Sequence, residues 1–137
     1  MRTTESFNLI IAGSRTWNGS MRYQIMREAV FKFLDWHNPH NKPVVIVSGN
    51  AHGADKMGET IAEEQHWPIK RMPADWDRYG KAAGYKRNEE MAAIADACLI
   101  FWDGDSKGSK HMYDIAMQRK LDVGLITFSV VINIFSS

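Results

Sequence analysis

Three apolar segments of this chain each run straight into a glycine-bearing turn: LIIAGSRTW (Leu9 to Trp17), VVIVSGNAHGAD (Val44 to Asp55) and LIFWDGDSKGS (Leu99 to Ser109). The last two continue directly into helical periodicity. Short apolar strands that stop at glycine and pass into helices are the units from which parallel sheets are built. If these strands are neighbours, their turns converge on one sheet edge, where free backbone N–H groups and helix N-termini favour an anion.

The length of 137 residues, 45% of them hydrophobic, suits one domain over residues 1–137 with a single core. A formal net charge of +1 supplies no general basic field, so attraction to nucleic acid would require a local patch. The lone cysteine, Cys98, sits in an apolar run and reads as a core residue, which excludes a disulfide framework or a thiolate zinc site within the chain. MRTTESFNLIIAG reaches glycine too soon for a secretory h-region, and no apolar run approaches the roughly 20 residues that span a bilayer. The expected location is cytoplasmic, without a membrane partner.

Along the chain, Phe7 to Ala12 reads as a buried strand stopped by Gly13. A helix follows Asn18-Gly19-Ser20, with Tyr23, Met26, Val30, Phe33 and Leu34 on one face, and ends at His37-Asn38-Pro39. Val44 to Val47 is a β-branched strand, and Ala54, Met57, Ile61 and Ala62 keep helical spacing until Trp67-Pro68. Ile69 to Met72 is a further strand, leading into the irregular stretch PADWDRYGKAAG, whose proline and glycines argue against a continuous helix. A helix from about Gly84 turns Met91, Ile94 and Ala95 inward and carries Arg87 and Asn88 in its first turn.

Cys98 to Trp102 predicts the next strand, DGDSKGS its exit turn, and Lys110 to Lys120 a helix burying Met112, Ile115 and Ala116. Gly124 to Phe128 and Val130 to Phe135 are short strand-like runs. The resulting order implies an α/β fold: an open, mostly parallel sheet of about five strands with helices on both faces. The terminal VVINIF pairs at a sheet edge or is covered by a second subunit, which makes a homo-oligomer one expectation.

In SGNAHGAD, Gly49 and Gly53 permit positive φ, Ser48 offers a hydroxyl, and the helix opening at Ala54 adds N–H groups. That composition cradles a phosphate or forms an ordinary glycine turn. In Gly13-Ser14-Arg15-Thr16-Trp17, Arg15 can fork onto a phosphate with hydroxyls from Ser14 and Thr16, while Trp17 stacks on a base. The competing reading pairs Arg15 with a carboxylate and packs Trp17 into the core. In Trp102 to Ser109, Asp103 and Asp105 can accept from ribose hydroxyls, and Gly108 and Ser109 open the next helix for phosphate or simply cap it.

Asp55 falls in a helix first turn, where the dipole stabilises a carboxylate with or without a ligand. Asp55, Asp75, Asp103 and Asp105 at one mouth would repel a bare polyphosphate unless Arg15, Arg87 or Lys107 offset them; a nucleoside-containing ligand with few phosphates suits the mixed charge better. Trp36 reads as helix packing, whereas Trp76, in the loop leading to Arg87 and Asn88, can cover a bound base.

Neither G-x-x-x-x-G-K-[ST] nor G-x-G-x-x-G occurs, which removes support for P-loop and dinucleotide chemistry. His37 and His40 flank Pro39, and His52, His66 and His111 have no partner at zinc-ligand spacing, so no metal site is assigned. The absence of G-x-S-x-G leaves Ser-His-Asp catalysis equally unsupported.

In this order, GSRTW, SGNAHGAD, PADWDRYGKAAGYKRNEEMA and FWDGDSKGSKHM resemble the YspA-like branch of the SLOG superfamily, related to the DprA and LOG proteins. The resemblance spans Ile10 to about Ala116. It implies a Rossmann-like domain whose glycine turns bind nucleotides or nucleotide-derived molecules. By position, it implies a pocket of Gly13, Ser14, Arg15, Ser48, Gly49, Gly53, Ala54, Asp55, Arg87, Asn88, Asp103, Gly104, Ser106 and Gly108, to which the residue reading adds Thr16, Trp17, Asn50, Trp76 and Ser109.

The chain departs from the family pattern at Asn50, usually glycine, at His52, usually arginine, and at Ser109, usually threonine. Left-handed backbone is tolerable for asparagine, but an imidazole clamps phosphate more weakly than a guanidinium. LOG enzymes, which cleave ribose 5'-monophosphate from nucleotides, look like PGG-x-GT followed by a glutamate. DGDSKGS followed by His111, Met112 and Tyr113 lacks both features.

The first functional expectation is sensing or sequestration of a nucleotide-derived small molecule, with no further cofactor required. An N-glycosidase or related hydrolase using Asp55 or Asp103 is the alternative. Single-stranded nucleic-acid binding, by analogy with DprA, ranks last because the net charge is near zero.

Overall fold

The computed structural model describes residues 6–127. Five strands, β1 (Phe7–Gly13), β2 (Val44–Ser48), β3 (Ile69–Arg71), β4 (Ala97–Trp102) and β5 (Asp122–Thr127), form one sheet in the order β3-β2-β1-β4-β5. Every neighbouring pair is parallel, with Leu9 opposite both Ile46 and Ala97. Each strand therefore needs a crossover, supplied by α1 (Ser20–His37), α2 (Ala54–Glu64), α4 (Ala83–Ile94) and α5 (Lys107–Gln118), with a single helical turn α3 (Trp76–Tyr79) ahead of α4.

Strand alternation divides the core in two. Leu9 and Ile11 of β1, with Leu99 and Phe101 of β4, face Met26, Val30, Phe33 and Ile61 of α1 and α2. Ile10, Cys98 and Ile100 point the other way, onto Met91 and Ala92 of α4 and Met112 and Ala116 of α5. Both faces of β1 and β4 are thereby sealed, which explains apolar runs in place of alternation. The expected α/β sheet with helices on both faces is the observed one.

Several boundaries move. PADWDRYGKAAG forms no continuous helix, as expected, but it is more regular than an irregular stretch: after Pro73 to Asp75 the Asp75 side chain accepts from Arg78 N at 3.2 Å to cap α3, and Gly80, at φ 55°, breaks the direction before a 3₁₀ turn at Gly80–Ala82 runs into α4. Ile94 ends α4 exposed rather than inward, and its carbonyl accepts from the Asn8 side chain; the buried face is Asn88, Met91 and Ala92, followed by Ala95. Helix α5 starts three residues earlier than expected because Ser106 caps it, its Oγ accepting from Ser109 N at 3.3 Å. Ile115 is half-buried. Strand β3 stops at Arg71, and β5 starts at Asp122; the expected run Val130 to Phe135 lies outside the described residues.

Helix α2 approaches β1 so closely that a Cβ on Gly58 would lie 2.7 Å from Cγ2 of the buried Ile11. Ile11 is β-branched and enclosed, so it cannot yield without disturbing the sheet. Gly58→Val should lower the unfolding free energy by about 1–3 kcal/mol, read as a fall in the urea midpoint with an unchanged slope.

Candidate functional site

The chain moves from β1 outward to β2 and β3, then returns across the sheet to place β4 on the other side of β1. At such a reversal the two exit loops diverge and leave a crevice at the carboxyl ends of the strands. Here the crevice is a cleft of about 410 Å³, within the range of roughly 300–1,000 Å³ usual for small-molecule sites.

Ser14 holds the crevice together. Its N–H donates to Phe101 O of β4 at 2.9 Å, its carbonyl accepts from Trp17 N and Ala54 N, and its Oγ accepts from Asp103 N at 2.9 Å. Gly53 at φ 82° lets the β2–α2 turn touch the β1–α1 turn; a Cβ there would lie 2.4 Å from Ser14 O. Ser14, Gly53 and Ala54 thus build the site from behind and do not line it.

Of the residues expected to bind ligand, Gly13, Arg15, Thr16, Asp55, Trp76, Arg87, Asn88, Asp103, Ser106, Gly108 and Ser109 line this one cleft. Trp17 does not: it is 1% exposed and packs on Phe101 with ring centroids 5.3 Å apart, so base stacking by Trp17 is corrected to a core role. Ser48 is also turned away, donating from Oγ to the buried Glu59 carboxylate at 2.6 Å while accepting from Asn50 N at 3.0 Å. Arg71 Nε completes the Glu59 pairing at 2.9 Å. Positive φ in this turn falls at Asn50, 62°, and Gly53, 82°, and not at Gly49. Gly49 lacks a side chain for another reason: a Cβ would fall 2.7 Å from Arg87 Nη1 and 2.8 Å from Asp55 Oδ2. Gly104 stands in open space at the rim, outside the lining.

Asp55 and Arg87 form the charged floor. Asp55 is 5% exposed, and its Oδ2 accepts from Ala51 N at 3.1 Å. Burial pushes its carboxyl up to about 6, against the lowering effects of the Ala51 N–H and the Arg87 charge. Arg87 donates from Nη1 to Gly49 O at 2.6 Å and from Nε to Asn88 Oδ1 at 3.1 Å. Burial also lowers the Arg87 guanidinium from its ordinary value, opposed by Asp55.

Because Arg87 only donates and Gly108 O only accepts, the Asn88 amide has a fixed orientation, with Nδ2 on Gly108 O and on His111 Nδ1, each at 3.2 Å. His111 must then accept at Nδ1 and carry its proton on Nε2. Burial holds this imidazole below its usual value, consistent with the neutral form. Asn88 thus ties the Arg87 cation to the N-terminus of α5.

Asp103 bounds the opposite wall. Oδ1 accepts from Asp105 N at 2.8 Å and Ser106 N at 2.9 Å, and Oδ2 accepts from Thr16 Oγ1 at 3.0 Å. Burial is the largest single influence and raises its carboxyl, but these donors, together with the Ser14 hydroxyl, outweigh it and hold the group below the usual range. Arg15 is exposed beside it and makes no side-chain hydrogen bond or ion pair among the described residues. His52 lies elsewhere, in a shallower depression with Asn18, Tyr23 and Lys56, so its difference from the family arginine falls outside the main cleft.

Lys81, Gly84 and Tyr85 line the cleft without having been singled out from sequence. The signal was present for Gly84, since Gly84, Asn88 and Met91 share one helical face once α4 begins at Ala83. Lys81 carried none. Among the described residues no three His, Cys, Asp or Glu side chains gather as metal ligands, and no helix is long and apolar enough to cross a membrane.

A parallel sheet wound in both directions from β1, with its cleft at the reversal, makes this a Rossmann-like α/β protein. The profile of the YAcAr family, described as the YspA, cpYpsA-related SLOG family, matches residues 7–79, and the chain belongs to that family. The "Gene 61 protein" of Mycobacterium phage D29 is 36% identical over 127 residues, covering 84% of this chain and 92% of that protein. DNA processing protein A (DprA) from Streptococcus pneumoniae is similar with a TM-score of 0.63 at 21% identity, over 87% of this chain and 49% of that one. DprA from Helicobacter pylori, solved for its single-stranded DNA binding mode, gives a TM-score of 0.54 at 18% identity, over 87% and 64%. The chain spans about half to two-thirds of the DprA chains, and at these identities the likeness is one of fold.

Asp55 makes stability depend on pH. Its folded value of about 6 exceeds the unfolded 3.8, so the folded state keeps the proton to higher pH. The associated stability is fully present below 3.8 and is lost as pH rises through about 6. Asp55→Asn should gain on the wild type by roughly 2–3 kcal/mol between about pH 4 and pH 7, measured by urea unfolding of both proteins at each pH.

Proposed function

We propose that the protein binds a nucleotide-derived small molecule in the cleft between the β1 and β4 exit loops. The observation that carries this is the meeting, in one cleft, of an uncommitted Arg15, a half-buried Arg87, the N-terminus of α5 and a half-exposed Trp76. A guanidinium fork and free helix N–H groups suit a phosphate, and an indole face suits a base. Membership of the SLOG family supports the same reading.

Asp55 favours one second reading. A buried carboxyl that titrates at about 6 on the cleft floor is suited to proton transfer near neutrality, which fits a nucleotide N-glycosidase better than Asp103, whose oxygens are already occupied by three donors. Base release from a nucleotide panel, lost in Asp55→Asn, would establish turnover; none at high enzyme concentration leaves binding.

Mass spectrometry of small molecules released from the purified protein, with a thermal-shift panel of nucleotides, tests the primary reading. Arg15→Ala should abolish the ligand-induced shift while the unliganded melting temperature stays within about 2 °C of wild type, since exposed substitutions cost little. Arg87→Ala should abolish the shift and also lower stability, because it leaves Asp55 buried without its cation. A salt-sensitive response to oligonucleotides with none to mononucleotides would move the assignment to strand binding.

A further inference from the structure

The phosphate end of the cleft has few positive charges and a fixed negative one. Arg15, Lys81 and Arg87 line it, against Asp55 and Asp103. With both carboxylates ionised the lining sums to +1 (three cations less two anions). The two carboxylates differ in what they can do. Asp55 already faces a cation, Arg87, and sits on the floor beneath it. Asp103 forms no ion pair with the neighbouring Arg15 or with any other cation among the described residues: Thr16 Oγ1 and the N–H groups of Asp105 and Ser106 hold its two oxygens, and these donors are neutral. Neutral donors fix the position of the charge without cancelling it.

Asp103 is also immobile. Its own N–H is bonded to the buried Ser14 Oγ, and its Oδ1 closes the turn that leads to the Ser106 cap of α5. The carboxylate cannot swing away from an incoming anion without dismantling that cap. A first phosphate reaching the N-terminus of α5 meets Arg15 and Arg87; each additional phosphate adds charge beside the Asp103 wall, with Lys81 as the one lining cation left to offset it.

We propose that Asp103 is a specificity-determining residue that limits the ligand to one phosphate, so that the cleft takes a phosphomonoester of a nucleoside and rejects the di- and triphosphates. This rests on the nucleotide reading of the cleft and adds to it the number of phosphates and the residue that counts them. Asp103 keeps its negative charge throughout the neutral range, in line with the lowering of its carboxyl by the surrounding donors.

Calorimetric titration in EDTA, which removes divalent cations that would mask phosphate charge, tests the proposal. The probes are nucleosides with their 5'-mono-, di- and triphosphates, and separately inorganic phosphate, pyrophosphate and tripolyphosphate. Wild type should bind monophosphates at least about tenfold more tightly than the matching triphosphates. Asp103→Asn keeps an oxygen for Asp105 N and Ser106 N and should narrow that ratio by about tenfold, since only the charge is removed. Equal or tighter triphosphate binding by wild type, or an unchanged ratio in the variant with its melting temperature retained, overturns the proposal and leaves the nucleotide reading in place. If the inorganic series shows the order and its relaxation by Asp103→Asn while no nucleoside compound binds, the charge limit stands and the nucleotide reading falls. Silence in both series overturns both.

Discussion

The pairing of β1 with β4, locked at its end by two of the four hydrogen bonds of Ser14, is the constraint on which the site depends. A fully buried serine with its N–H, carbonyl and hydroxyl all engaged has no spare capacity for a ligand, and none is needed. By joining the β1 exit, the β4 exit and the start of α2, it fixes where Arg15, Asp103 and Asp55 stand relative to one another. Loss of any of these bonds would leave a buried polar group unpaired, at a cost of about 1–3 kcal/mol. The site is thus positioned by backbone contacts between loops, more than by the side chains that line it.

The charged floor is organised by the same economy of donors. Arg87 reaches the Gly49 carbonyl and the Asn88 amide, and Asn88 passes the connection to Gly108 and His111. Each group in this series has one orientation open to it, because donors and acceptors alternate along it. Asp55, beneath Arg87, is the member whose charge is least well supported, which is why burial dominates its titration.

Much of this was legible in the sequence because apolar runs ending at glycine report directly on strands buried on both faces. The convergence of the three turns followed from parallel pairing alone. What the sequence could not separate was a residue that lines the cleft from one that supports it. Ser14, Ser48 and Trp17 have the chemistry of ligand contacts, yet each meets a partner distant in sequence: Asp103 N, Glu59 and Phe101. PADWDRYGKAAG read as irregular because a proline and two glycines punctuate it, while the Asp75 cap and the φ of Gly80 that turn it into two helical pieces depend on geometry. Lys81 enters the cleft only through that same geometry.

The strand order has a consequence for the order of events during synthesis. Strand β1 emerges from the ribosome before β4, but its contact with β4 joins residues 89 apart at Ser14 and Asp103. Until β4 has left the exit tunnel, one flank of β1 presents a bare apolar edge, and pairing across such separations is slow. The nascent chain therefore passes through a stage in which β1, β2 and the intervening helix are complete while β4 is missing, and the cleft between the β1 and β4 exits does not yet exist.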